Sequence, residues 1–342
     1  MSEQAYNEND EKYNVKTGEL LRIMPKFVKG YLYEIENSVL PKTRYMYLYD
    51  LKLFFEFLVK QNPKLDNIED ISLDYLNNLN YDDFTEYTHH MINTVAETTR
   101  ARRLASLNRF WSYLYKRKLV TNNQDFYSVS RPKLHKKDIV YLESDEVGAV
   151  MDNVENGTYL TDRQKKYHQS VRDTAILSLM LGTGIRVSEC VSLDINDIDL
   201  TKNSVHIFRK GKKEMTIYYS DDVCANLSLY LEERLQMDNI EEGFEEALFI
   251  SRKHRRISIR AVEELVRKYA GENVVGNKHI SAHKLRSSYG TNLYRKSGDI
   301  YLVASVLGHE SITTTANSYS EQSREALKRA GRMDIYDNKQ ED

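Results

Sequence analysis

Two arginines, two histidines and a tyrosine stand in order along this chain: Arg186, His283, Arg286, His309 and Tyr319. Arg186 closes the stretch Gly182-Thr183-Gly184-Ile185-Arg186. His283-Lys284-Leu285-Arg286 follows far downstream, then Leu307-Gly308-His309, then a threonine-rich run that ends at Tyr319. These residue types are what phosphoryl transfer through a tyrosine requires. Arginines can hold the non-bridging oxygens of a phosphodiester, where charge grows in the transition state. Their planar fork makes two parallel, permanently charged hydrogen bonds. Histidines can position and move protons near neutral pH. A tyrosine hydroxyl can attack phosphorus and hold a strand covalently. No one of these residues is diagnostic; Tyr319 is one of 25 tyrosines. The ordered set carries the signal.

On these boxes the chain resembles a tyrosine recombinase of the phage integrase family, with an Xer- or Cre-like two-domain organisation. The resemblance implies that Arg186 and Arg286 clamp the phosphate, that His283 accepts or positions a proton, and that His309 donates to a phosphate oxygen. Tyr319 is then the nucleophile, and Glu189, three residues after Arg186, orients that arginine or supports its turn. The family places a general-acid lysine in a β-hairpin between the arginine boxes. Lys210 fits that place best, although Arg209 stands where the family's Gly-Lys-Gly turn has its first glycine; Lys212 and Lys213 remain alternatives. Ser287 stands where many members have a second histidine. The resemblance implies no cofactor, double-stranded DNA with inverted-repeat sites as partner, a tetramer joining two sites through a Holliday junction, and possible need for accessory DNA-bending or directionality factors. Integration or excision of a mobile element, dimer resolution and inversion all use this chemistry. A type IB topoisomerase would share the tyrosine, and a non-catalytic relative would share the DNA clamp.

The elements that must hold these residues are mainly helical. A chain of 342 residues has room for two domains. Hydrophobic content of 41% with four prolines suits a mainly α protein with a small β-sheet. The resemblance specifies an N-terminal helical, SAM-like core-binding domain and a mixed α/β catalytic domain. The expected division is a flexible acidic tail over 1–22, the core-binding domain over 23–128 and a basic linker over 129–138. The catalytic domain follows over 139–325 and a C-terminal tail over 326–342. Ser144 and Ser281 are expected N-caps, the latter placing His283 and Arg286 on one face of a helix start. His279 and His283 have zinc-like spacing, but that cap leaves His279 outside the helix and no third ligand is evident, so no metal site is expected. Two strands are expected at 205–208 and 215–219.

Net charge is only −2, but its distribution is uneven. From Thr99 to Lys137 the basic residues include Arg100, Arg102, Arg103, Arg109, Lys116, Arg131, Lys133, Lys136 and Lys137, against the single acid Asp125. Such a belt is the footprint of phosphate binding. On the helix near 98–118, Leu104, Leu107, Trp111 and Leu114 share one face, with Arg102, Arg109 and Lys116 nearly opposite. An ordinary solvated helix face would show the same spacing. The longest apolar run is too short to cross a bilayer, no signal peptide is recognisable, and Cys190 and Cys224 make no disulfide framework. A cytoplasmic protein is expected.

Overall fold

The structure, a computed structural model, describes residues 3–121, 132, 139–162, 164, 169–209, 213–271, 275–276, 278–308 and 331. The chain divides into two compact units, one over 4–137 and the other over 138–342 together with residues 1–3.

The first unit is helical: α1 (Glu3–Leu21), α2 (Val28–Ile35), α3 (Pro41–Gln61), α4 (Leu73–Asn77), α5 (Tyr81–Thr94) and α6 (Glu97–Lys116). Pro41 starts α3 at a position where a missing N–H costs nothing. Asn80 caps α5, its side chain accepting from the backbone of Asp82 and Asp83. The α6 face predicted from periodicity is the buried one: Leu104, Leu107, Phe110, Trp111 and Leu114 all enter the core. There Trp111 meets Phe84 edge-on at 5.0 Å, and Phe54 meets Tyr87 at 4.9 Å. The acidic N-terminus departs from expectation. In place of a loose tail it forms α1, anchored by Tyr13 packing on Tyr45 at 5.6 Å and by Arg44 donating to Asn14 at 2.7 Å. Leu20 and Leu21 join the core edge. Average polarity hides these few anchors.

The second unit contains α7 (Ser144–Glu155), α8 (Gln169–Thr183), α9 (Val187–Val191), β1 (Ile198–Asp199), β2 (Ser204–Arg209), β3 (Lys213–Tyr218), α10 (Asp221–Leu235), α11 (Ile259–Tyr269), α12 (Ala282–Ser297) and α13 (Ile300–Leu307). Helix α8 is central, packing against α7, α10, α11 and α12. Its continuous run of buried residues, Asp173 to Met180, reflects contact on all sides. The strands form an antiparallel sheet in the order β1-β2-β3, with Val205 opposite Ile217 and Arg209 opposite Lys213. Both expected strands form, each with bounds shifted by one or two residues. The two-residue β1 is too short to leave a periodic signal. At α7 the cap is Glu143 rather than Ser144: the Glu143 N–H donates to the Glu146 carboxylate at 2.7 Å, and Ser144 is already helical. Cys190 is fully buried, as a small apolar side chain would be.

Candidate active site

The first arginine is placed by a helix break. Gly184 adopts φ +64°, and a Cβ there would lie 2.5 Å from Tyr289 Cδ1, so both conformation and space demand glycine. Its N–H donates to Met180 O at 3.0 Å and closes α8. Arg186 follows in extended conformation as the N-cap of α9. Glu189, 5% exposed, accepts from the Arg186 backbone N–H at 2.8 Å and from its Nη1 at 2.6 Å. One buried carboxylate therefore caps the helix and orients the guanidinium, which remains partly open to solvent.

The second arginine joins separate segments. Helix α12 starts immediately after Ser281, the expected cap position, although the serine hydroxyl makes no capping bond. Arg286, 4% exposed, donates through Nη1 to Gly184 O at 2.6 Å and through Nη2 to Leu307 O. It thereby ties the turn before Arg186 to the C-terminal end of α13. His283 lies one turn earlier on the Arg286 face. Although His283 is solvent-exposed as a residue, enough protein surrounds its ring that lost hydration is the first cause holding its pKa below the ordinary value. The cations of Arg286, Lys284 and Arg186 add to that depression. The neutral imidazole needed to accept a proton is thus favoured.

Helix α13 ends at Gly308, whose φ of +59° is the left-handed stop expected of glycine. Just beyond it, His309 and Tyr319 lie outside the described residues, as do Lys210 and Lys212 in the hairpin turn. Lys213 is described and exposed at the start of β3. Arg186, Glu189, His283 and Arg286 are the predicted site residues that the described structure brings together. Arg209, at the place of the family's first turn glycine, is also buried here. Its signal was strand alternation: with Val205 and Ile207 inward, period two turns Arg209 inward as well.

The basic residues of α6 separate by environment. Arg102 donates to the buried Asp50 carboxylate, which also accepts from Ser106 Oγ at 2.7 Å. Arg109 donates to Ser38 Oγ at 2.9 Å and sits 5.5 Å from the Tyr47 ring centroid. Arg100 and Arg103 bury their Nε atoms. Lys116 is exposed and forms no ion pair with a described residue. Arg102 and Arg109 therefore have partners within their own unit, which helical spacing alone could not reveal. Arg131, Lys133, Lys136 and Lys137 of the linker lie outside the described residues.

Known proteins align with both units. The family described as "Phage integrase family" matches residues 140–325, and "Phage integrase, N-terminal SAM-like domain" matches 28–118. The tyrosine recombinase XerC of Caldanaerobacter subterraneus subsp. tengcongensis is 32% identical over 288 residues, covering 80% of this chain and 76% of the relative. XerC of Pelotomaculum thermopropionicum is 28% identical, covering 87% and 93%. Among solved structures, the post-cleavage complex of the XerH site-specific recombinase with a palindromic difH substrate aligns with TM-score 0.62 and 19% identity, covering 88% of this chain and 82% of that one. A lambda integrase dimer bound to a COC′ core site aligns at 0.61 and 14%, covering 85% and 93%. These two share the fold. The chain belongs to the phage integrase family and is a tyrosine-type site-specific recombinase.

Among the described residues no helix is long and apolar enough to cross a membrane.

Proposed function

We propose that this recombinase cleaves and rejoins duplex DNA through Tyr319, at sites built as inverted repeats. Tyr319 Oη attacks phosphorus, forming a 3′-phosphotyrosine bond as the bond from phosphorus to the 5′ oxygen breaks. His283 takes the phenolic proton, and Lys210 protonates the leaving 5′ oxygen. Arg186 and Arg286 hold the non-bridging oxygens, with His309 donating beside them. Reversal of these steps with a new 5′ hydroxyl joins strands. The phosphodiester energy stays in the covalent link, so ATP is not needed. The charge is met by arginine and lysine, so the scheme requires no metal.

The single observation that most supports this reading is the double donation of Arg286 to Gly184 O and Leu307 O. It gathers the Arg186 turn, the His283 helix and the segment leading to His309 around one buried guanidinium. The partner we propose is double-stranded DNA. Four protomers would join two sites and exchange strands in pairs through a Holliday junction. XerH bound to difH and lambda integrase bound to a core site are solved relatives in fold that carry DNA.

Supercoiled plasmid without source-genome DNA tests the nearest rival. A recombinase leaves its topology unchanged, whereas complete relaxation by wild type and not by Tyr319→Phe would assign a topoisomerase.

A further inference from the structure

The last turn of α13 leaves carbonyls that its own helix cannot satisfy. Two arginines from other elements meet them. Arg286 donates to Leu307 O, and Arg209, at the end of β2, donates through Nη2 to Val306 O at 2.6 Å. Both cations also sit at the negative end of the helix dipole. Arg209 is 8% exposed and, among the described residues, forms no ion pair and has no hydrogen-bond partner for Nε. Burying a cation without an ion-pair partner is costly, and its hydrogen bond to Val306 O offsets part of that cost.

Its side chain fills the space above Gly308. A Cβ built on that glycine would fall 1.4 Å from Arg209 Nη1 and 2.4 Å from Cζ. Arg209 and Gly308 therefore require each other: the guanidinium can lie there only because position 308 has no side chain. Burial lowers the pKa of Arg209, the Glu189 carboxylate opposes that fall and the Arg186 cation adds to it. Arg209 is thus electrostatically within the Arg186–Glu189 site, with its Nη2 committed to Val306 O.

We propose that Arg209 is a positioning residue for strand cleavage, clamping the β2 end of the hairpin to the Val306–Gly308 turn and so fixing the origin of the segment that carries His309 and Tyr319. The proposal rests on the recombinase reading above. Arg209 also immediately precedes Lys210, so one guanidinium holds two parts of the site in register. Misplacement of reacting groups by about 1 Å is enough to cost on the order of 10²-fold.

The test is single-turnover cleavage of a nicked duplex carrying a site captured covalently by the wild-type protein. Equilibrium binding to the same duplex and thermal unfolding are measured in parallel. Arg209→Ala is expected to slow cleavage about 10- to 100-fold, with binding changed by no more than about twofold. Arg209→Lys, which keeps the charge and loses the fork, should fall between. Gly308→Ala should slow cleavage more in the Arg209 background than in the Arg209→Ala background, where the clash has gone and only the left-handed backbone strain remains. Wild-type cleavage by Arg209→Ala overturns the proposal, as does multiplication of the two defects. If Arg209→Ala does not fold, full-rate cleavage by folded Arg209→Lys overturns it and the intermediate rate supports it. A wild-type protein that forms no adduct overturns the recombinase reading and, with it, this inference; a cleaving wild type with an indifferent Arg209 overturns the inference alone.

Discussion

Glu189→Gln isolates how Arg186 is held. The substitution keeps shape and removes charge. In the wild type one carboxylate oxygen accepts from the Arg186 backbone N–H at 2.8 Å and the other from Nη1 at 2.6 Å. A glutamine has one acceptor, so its amide N–H₂ must face one of these donors. Glu189 is only 5% exposed, so water cannot readily repair the mismatch. Leaving one buried partner unmet costs about 1–3 kcal/mol. At about 2–4 °C per kcal/mol for a unit of this size, the midpoint of unfolding should fall by roughly 2–12 °C. Cleavage should slow by about tenfold, less than the 10²–10³-fold expected when Arg186→Ala removes the donor itself. Single-turnover cleavage of a nicked duplex and scanning calorimetry read the two effects. Since Glu189 acts through Arg186, the double variant should cleave no more slowly than Arg186→Ala alone. Wild-type melting and cleavage in Glu189→Gln would refute the reasoning, as would defects that multiply.

The depressed pKa of His283 keeps it neutral below the ordinary histidine value of 6.5. The acid limb of cleavage should accordingly lie below pH 6.5, and Lys284→Gln should move it upward in a pH–rate profile by removing one of the depressing cations. On α6, Lys116→Ala should weaken DNA binding and reduce the slope of log affinity against log salt by about one, as read by titration at several ionic strengths. Arg102→Ala should instead strip Asp50 of its cation and destabilise the first unit by about 1–3 kcal/mol in denaturant unfolding.

Much of this architecture was legible because its signals are periodic or ordered. The buried face of α6, the hairpin strands and the break at Gly184 follow from spacing and from the conformations glycine permits. The relation of Arg186 to Glu189 was also legible, since three residues across a helix start place a carboxylate beneath its own N-cap. Less visible were the partners of the basic residues. Arg102 and Lys116 share a helical face in projection, but only the fold brings Asp50, distant in sequence, beneath Arg102. The same limit hid the helical N-terminus, where Tyr13, Leu20 and Leu21 supply contacts that average polarity does not count. In sequence Arg209 is only a departure from a glycine-rich turn; its partner carbonyl lies nearly a hundred residues away.

Covalent trapping tests the central claim most directly. Wild type and Tyr319→Phe are incubated, in a chelator, with sheared DNA from the source genome, and adducts that survive denaturation are sequenced. Metal-free cleavage through Tyr319 predicts adducts at a few recurrent inverted-repeat sites, each a 3′-phosphotyrosine and all absent from Tyr319→Phe. Adducts retained by Tyr319→Phe would contradict the assignment of the nucleophile, and adducts scattered without sequence preference would contradict site-specific recombination.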